Sequence, residues 1–133
     1  VQLELEAGQP YDVLLKLRDD SLVLEDMPLA NPNTTGYEGS VVVKGCNNWN
    51  GLNDKAALLD GVHGHTYFAR PLLDWFMRYH ELRHAAKSRR LPNPESYLAA
   101  VMAMNQVPVR QVGPDVFPFI TGRLTAGLPG GAP

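Results

Sequence analysis

The chain has little cysteine, no excess of positive charge and no long apolar run, and each of these features excludes a class of protein. Cys46 is the single cysteine among 133 residues, which excludes an intrachain disulfide framework and a multi-cysteine zinc cluster. Twelve basic and fourteen acidic residues give a net charge of −2. The chain therefore lacks the excess of basic residues with which a protein that coats nucleic acid neutralises phosphates. No apolar run approaches the roughly 18 residues that cross a bilayer. We therefore expect neither a nucleic-acid partner nor a membrane span in this chain.

The chain also lacks a glycine-rich phosphate-binding loop of the usual forms. Its length suits one domain and is too short for a complete doubly wound domain with two mononucleotide-binding halves. The alternating start at Val1 has no leader-like pattern, which suggests a piece of a longer protein. Residues 124–133 are rich in glycine and proline and predict a flexible tail after a domain of residues 1–123.

Short apolar or β-branched runs predict strands at residues 11–17, 21–24, 40–44 and 107–112. The first run is nearly continuous, which is typical of a strand buried on both faces. Pro108 places the last strand at a sheet edge or makes it irregular. Residues 52–59 predict a short turn or strand, and residues 61–64 predict a turn.

Two helices are predicted between the third and the last strand. Helical spacing indicates a first helix from about Arg70 to Arg89. Its apolar stripe comprises Leu72, Trp75, Phe76, Tyr79, Leu82 and Ala86, which we expect in the core. Asn93 is a good N-cap for a second helix that continues to Met104, with Pro94 in its first position. The predicted fold is α/β, a mixed and mostly parallel sheet flanked by two helices.

Arg18, Asp19 and Asp20 follow the first predicted strand, where ligands bind in open α/β sheets. Two carboxylates in this position suit a divalent cation that holds a diphosphate. The alternative is a solvated turn with an Arg–Asp ion pair. Asn53, Asp54 and Lys55 precede an apolar run and, by themselves, indicate a helix cap or a turn.

Two histidine patterns are possible metal ligands. The string from His80 to His84 matches His-Glu-x-x-His, in which two histidines one helical turn apart bind zinc and Glu81 acts as a general base. No third ligand stands at an established spacing, and Arg83 lies inside the string, so a solvated helix face is the alternative. His63 and His65 alternate on one side if the segment is extended, but two ligands do not make a site.

Taken in order, several segments resemble glycosyltransferase-like proteins of the GT-A type, including lipopolysaccharide-type and uncharacterised algal or plant members. Residues 11–24 resemble Tyr-Asp-apolar-apolar-Arg-x-Arg-Pro-Asp followed by a short strand. Residues 52–58 resemble (Ile/Leu)-Asn-Asp-(Gln/Lys)-Phe-Ala, and residues 94–109 resemble (Ser/Pro)-Glu-x-x-Leu followed by Asn-x-Ile-x-Val. Residues 119–123 are similar to a terminal strand that ends in arginine. The resemblance is collinear over residues 11–123.

This resemblance implies the C-terminal half of a GT-A-like domain that transfers a sugar from a nucleotide sugar to a glycan or protein acceptor. It implies cofactor binding by Arg18 and Asp20, and binding of Mn²⁺ or Mg²⁺ by Asp19 and Asp20. It implies catalytic roles for Asp54, as acceptor-positioning residue or general base, and for Glu95.

Two departures from the family pattern favour a non-catalytic function, which is one of two alternatives to glycosyl transfer. Ser21 and Leu22 follow Asp20, so a strict Asp-x-Asp is missing, and Lys16 and Asp19 stand where arginine and proline are usual. The nucleotide-gripping half is expected in a longer parent chain. One alternative is a non-catalytic structural subunit of a larger assembly, built on a degenerate glycosyltransferase-like domain. Another is a zinc metallopeptidase fragment that uses His80, Glu81 and His84. A Golgi location would follow only for a eukaryotic glycosyltransferase.

Overall fold

The computed structural model describes residues 8, 11–26, 39–46, 48–86 and 91–121. Its strands are β1 (Val13–Leu17), β2 (Ser21–Val23), β3 (Val41–Lys44), β4 (Ala56–Asp60), β5 (Val109–Val112) and β6 (Phe119–Thr121). Its helices are α1 (Gly61–Met77), α2 (Tyr79–Ala85) and α3 (Pro94–Met104). The predicted tail at 124–133 and the end of the predicted first helix at 87–89 lie outside these residues.

A four-stranded mixed sheet in the order β1-β4-β3-β5 forms the centre of the fold. The pairs β1–β4 and β4–β3 are antiparallel, and β3–β5 is parallel. The α/β class is therefore confirmed, but the expectation of a mostly parallel sheet is wrong. The error has a physical reason: β3 and β4 are buried on both faces, and such strands have continuous apolar sequences in either orientation.

The two faces of this sheet are covered by different parts of the chain. Val41 and Val43 of β3 pack toward the helices, together with Leu82, Val101 and other apolar side chains. Val42, between them on the chain, packs on the opposite face against Phe117. This alternation is the two-residue period of a strand, and it explains why the predicted apolar segment near Phe117 is needed in the core.

The edge strands differ from the central pair. β1 is an edge strand whose Leu15 and Leu17 are each 36% exposed, so the prediction of a strand buried on both faces is wrong. β5 forms the other edge, as Pro108 predicts. β2 leaves the main sheet altogether and pairs antiparallel with β6.

The first helical region differs most from its prediction. Residues 61–64 begin α1 instead of forming a turn, because the Asp60 side chain accepts a hydrogen bond from the His63 N–H and caps the helix. A break at Arg78 separates α1 from α2, so the single predicted helix is two. The structure thus describes three helices where two were expected.

The predicted apolar stripe of this region is only partly in the core. Leu82 and Ala86 are buried, but Leu72 is 66% exposed and Phe76 is 76% exposed. The buried side of α1 instead carries Gly64, Tyr67 and Asp74. Gly64 allows this side to approach Leu14 of β1, since a Cβ at Gly64 would collide with that side chain.

The third helix forms as predicted. Asn93 adopts an extended conformation, and its Oδ1 accepts a hydrogen bond of 2.8 Å from the Ser96 N–H. Pro94 occupies the start of the helix, where its missing N–H costs nothing. Among the described residues, no helix is both long enough and apolar enough to span a membrane.

Candidate functional site

The antiparallel pairing of β1 and β4 brings two of the predicted site segments to the same end of the sheet. Leu17 at the end of β1 pairs with Ala56 at the start of β4. One step further, the Arg18 N–H donates a 3.0 Å hydrogen bond to the Lys55 carbonyl. Asp20 and Asp54, which are 34 positions apart in the sequence, therefore flank one sheet end.

Arg18 and Asp20 form a bidentate ion pair in the turn after β1. Arg18 Nε lies 3.0 Å from Asp20 Oδ1, and Arg18 Nη2 lies 2.7 Å from Asp20 Oδ2. Both side chains are partly exposed, at 42% and 31%. Asp19 is exposed in the same turn. The ion-pair alternative for this cluster is thus realised, and a cation at Asp20 would compete with the guanidinium of Arg18.

Asp54 has a different environment from that of Asp20. Its Oδ1 atom is buried and has no hydrogen-bond partner. A buried carboxylate oxygen without a partner is unusual, because desolvation of a charged group is costly unless a donor compensates it. Asp54 Oδ1 is therefore a free acceptor within the protein.

Lys16 is a half-buried cation of β1 in the same region. Burial lowers the pKa of the Lys16 ammonium below its usual range, and the positive charge of Arg18 acts in the same direction. The negative charges of Asp54 and Asp20 partly oppose this shift of the pKa. Lys16 therefore interacts electrostatically with both carboxylates, and the cluster of Lys16, Arg18, Asp20 and Asp54 is named here the β1–β4 cluster.

Tyr67 of α1 extends the surroundings of Asp54. Burial raises the pKa of the Tyr67 phenol strongly, and the negative charge of Asp54 raises it further. The phenol therefore stays protonated and remains a possible hydrogen-bond donor on the helix side of the cluster.

The neighbouring Asn53 fixes the loop before β4. Its Nδ2 donates a 2.5 Å hydrogen bond to the Cys46 carbonyl, and its Oδ1 accepts a 2.8 Å bond from the Lys55 N–H. With 2% of its surface exposed, Asn53 is a structural turn residue. The turn interpretation of this triplet is correct for Asn53, whereas Asp54 is left with an unpaired oxygen.

Glu95 reaches this region through its main chain. The Leu52 N–H donates a 3.0 Å hydrogen bond to the Glu95 carbonyl. Gly51 lies so close to the same carbonyl that a Cβ there would collide with it. Glu95 itself is buried, with 9% of its surface exposed, in the first turn of α3. The structure thus joins the start of α3 to the loop before Asp54.

The two histidine patterns do not form a metal site in the described residues. His80 and His84 lie on α2, where Glu81 is held in an ion pair by Arg78. His63 and His65 lie on α1 rather than on an extended segment, and His63 Nδ1 pairs with Asp60 at 2.8 Å. Across the part of the chain that the structure describes, no three His, Cys, Asp or Glu side chains group closely enough to hold a metal.

The sequence did not predict that Lys16 belongs to the β1–β4 cluster or that Tyr67 interacts electrostatically with Asp54. Lys16 interrupts the leucines of β1, and this charged residue inside an apolar strand was the available indication. No local pattern indicates Tyr67, because its position depends on how α1 packs over the sheet.

Comparison with family models, curated proteins and solved structures finds no match to this chain. The GT-A resemblance over residues 11–123 stays a prediction from the residues themselves.

Proposed function

We propose that this chain is part of a glycosyltransferase-like domain that transfers a sugar from a nucleotide sugar to a glycan or protein acceptor. One observation carries the proposal: the β1–β4 cluster gathers two carboxylates and two cations at one sheet end. Two of the segments that resemble the family, residues 11–24 and 52–58, supply this cluster.

In this proposal Asp54 positions the acceptor hydroxyl or takes up its proton. Its Oδ1 atom has no hydrogen-bond donor in the part of the protein that the structure describes, and because this atom is buried, the Asp54 side chain must turn outward before an incoming hydroxyl group can reach it. No hydrogen-bond donor of the described residues occupies this atom, so the hydroxyl group would not have to displace one. Tyr67, kept protonated by burial, lies on the helix side of the same carboxylate.

The cations of the cluster suit the diphosphate of a nucleotide sugar. Arg18 is a fork-shaped donor that binds phosphate oxygens as readily as the carboxylate of Asp20. Exchange of Asp20 for a phosphate on Arg18 would release Asp20 for another partner. Glu95, at the start of α3, is the fourth acidic position of the proposed site, held to the loop before Asp54 by its main chain.

The implied Mn²⁺ or Mg²⁺ ion fits Asp19 and Asp20 only together with the substrate. Mg²⁺ sites commonly use one or two carboxylates and take their remaining ligands from phosphates and water. The two aspartates meet that requirement, although the described residues offer no three-ligand group for a free ion. A bound ion would act as a Lewis acid that neutralises charge on the leaving diphosphate.

Isothermal titration calorimetry tests this proposal. We expect weak but saturable binding of uridine or guanosine diphosphate in the presence of MnCl₂, because the nucleotide-gripping half of a GT-A domain is expected in a longer parent chain. We expect no saturable binding of MnCl₂ alone. Asp20→Asn should weaken nucleotide binding at least about tenfold, because it removes an ionic ligand of the metal–diphosphate complex. Asp54→Asn should leave nucleotide binding unchanged but abolish transfer to an acceptor.

Asp26→Asn is the matched control, since Asp26 is an exposed aspartate outside the β1–β4 cluster. Equal weakening by Asp26→Asn and Asp20→Asn would contradict the proposal, and so would the absence of nucleotide binding by the wild-type chain.

A second candidate function is that of a non-catalytic subunit of a larger assembly. The observation that favours it is the apolar outer side of α1, where Leu72, Phe76 and Met77 are 66%, 76% and 78% exposed. Apolar surface of this kind marks interaction sites. A folded wild-type chain that binds no diphosphate but joins a complex through α1 would favour this function over glycosyl transfer.

A further inference from the structure

Trp49 occupies a backbone position that bulky residues rarely take. The Gly51 N–H donates a 2.6 Å hydrogen bond to the Asn48 carbonyl, which closes a four-residue turn. The two central residues have positive φ, 42° at Trp49 and 65° at Asn50, which are the φ signs of a type I′ turn. Asparagine, aspartate and glycine are the usual residues at such positions, and a bulky side chain there is an outlier. Asn50 follows this preference, whereas Trp49 does not.

Contacts with two separate elements hold the turn in this conformation. Asn93 Nδ2, at the start of α3, donates a 3.2 Å hydrogen bond to the Trp49 carbonyl. Asn48 Nδ2 donates a 3.3 Å hydrogen bond to Gln111 Oε1 of β5. The Trp49 side chain is nevertheless 66% exposed, so the core gains little from it. A strained position that keeps a large aromatic group outside the core points to a function of that group.

The turn lies at the same sheet end as the β1–β4 cluster. β3 ends at Lys44 and runs antiparallel to β4, so the connection between them leaves from the end where β4 begins. Asp54 lies just before β4, and Arg18 follows β1 at one edge of the sheet. Gln111 contacts the turn from β5, at the other edge. In the order of the strands, Asp54 therefore stands between the proposed diphosphate site at Arg18 and the turn of Trp49.

The surroundings of Trp49 are polar but uncharged. Residues 45–53 contain no Asp, Glu, Lys or Arg. The amide side chains that belong to the turn or contact it are those of Asn48, Asn50, Asn93 and Gln111. An amide both donates and accepts hydrogen bonds, as hydroxyl groups require. A sugar ring presents a face of C–H groups, which packs on an aromatic surface, and a rim of hydroxyl groups, which amides bind. A phosphate or carboxylate group would find no cation in this loop.

We propose that Trp49 is a stacking platform for the acceptor and that the acceptor is a neutral oligosaccharide. The acceptor role rests on the proposed glycosyl transfer, in which Asp54 meets the acceptor hydroxyl. With strands about 4.8 Å apart, β5 is roughly 10 Å from β4, so one sugar ring on Trp49 leaves room for further rings toward Asp54. A protein partner is the less suitable occupant. A tryptophan that anchors a protein interface is ringed by groups that exclude water, whereas hydrophilic amides surround Trp49.

Replacement of Trp49 by a residue that suits the turn separates its effect on the fold from its effect on binding. Trp49→Asn should leave the urea midpoint unchanged or raise it, because asparagine adopts positive φ more readily than tryptophan. The same substitution should raise the Kd of a neutral oligosaccharide at least about tenfold. Phe76→Ala is the matched control for binding, since Phe76 is an aromatic residue of α1 with 76% exposure.

A glycan array supplies the oligosaccharide for this test. It carries cello-, xylo-, manno- and malto-oligosaccharides as neutral probes, and sialylated and uronate-containing chains as charged probes. The neutral probe that binds most strongly is then used in isothermal titration calorimetry with the full chain. In a Trp75→Phe background Trp49 is the single tryptophan, and its fluorescence should shift to shorter wavelength when this probe binds.

Uridine diphosphate with MnCl₂ distinguishes failure of this inference from failure of the proposed function. A chain that binds the nucleotide but no neutral oligosaccharide of the array, or that prefers the charged probes, would overturn the inference alone. Oligosaccharide binding that depends on Trp49 in a chain that binds no nucleotide would support the platform and contradict glycosyl transfer. A chain that binds neither would contradict both. Unchanged oligosaccharide binding by Trp49→Asn, or an equal loss of nucleotide binding, would overturn the role of Trp49.

Discussion

At the residue scale, Asp74 explains how α1 can be apolar outside and charged inside. Its Oδ1 lies 2.7 Å from Arg70 Nη2, and its Oδ2 accepts a 2.7 Å hydrogen bond from Asn105 Nδ2. Arg70 Nε also donates to Asn105 Oδ1 at 3.0 Å. The three side chains thus connect α1 to the end of α3 by a polar network, which fixes the side of α1 that faces the core.

Asp74→Ala should destabilise the fold strongly. The substitution leaves Arg70 and Asn105 without their shared partner, and loss of one member of a buried pair typically costs about 3–5 kcal/mol. We expect about 3 kcal/mol, at the lower end of that range, because Arg70 is 31% exposed. Urea denaturation measures the change in the free energy of unfolding.

Glu81→Ala is the control for Asp74→Ala, because Glu81 pairs with Arg78 at the surface and is 58% exposed. Its removal should change the stability much less, since exposed ion pairs contribute little. If the two substitutions lowered the free energy of unfolding equally, the proposed stabilisation by the buried network around Asp74 would be contradicted.

Residue identity alone predicted part of the candidate site. The Arg18–Asp20 pair could be anticipated, since its members are two positions apart in one turn. The unpaired oxygen of Asp54 could not, because its burial depends on the tertiary fold around a loop whose own sequence indicates only a turn.

At the scale of elements, the ends of the helices depend on capping residues. α3 was predicted correctly because Asn93, Pro94 and Glu95 are adjacent in the sequence and act locally. The start of α1 was not predicted, since Asp60 is both the last residue of β4 and the N-cap of α1. A glycine-rich segment directly after a strand indicates a turn until the cap is considered.

Because Asp60 caps α1 through its carboxylate, the stability of the protein should depend on pH. Burial raises the pKa of the Asp60 carboxyl, but hydrogen bonds from the backbone and ring of His63 outweigh it, so that the pKa lies below its usual value. The stability that comes from ionised Asp60 is therefore fully present above about pH 4 and is lost as the pH falls through the lowered pKa. Asp60→Asn keeps a good cap without the charge.

The difference in urea midpoint between wild type and Asp60→Asn measures this contribution. Wild type should be the more stable protein at neutral pH, and the difference should shrink as the pH falls below about 4. A difference that grows at low pH would contradict the account of the cap, because it would require a raised rather than a lowered pKa.

At the scale of the whole molecule, the topology determines which predicted residues meet. The α/β class follows from the order of elements, but the direction of the strands does not. A strand that is buried on both faces, such as β3 or β4, has a continuous apolar sequence whether its neighbour is parallel or antiparallel. The antiparallel β1–β4 pair brings Asp20 to the same sheet end as Asp54. The proposed glycosyl transfer therefore depends on a pairing that the sequence did not predict.

NMR spectroscopy of the ¹⁵N-labelled chain with Mn²⁺ and a nucleoside diphosphate locates the proposed metal–nucleotide site on the protein. Paramagnetic Mn²⁺ broadens the amide signals near its binding site. We predict that the amide signals of Arg18, Asp20 and the adjacent Lys55 lose intensity only when the nucleotide is also present, while those of His80 to His84 on α2 keep theirs. Selective broadening on α2, or broadening without the nucleotide, would contradict the account.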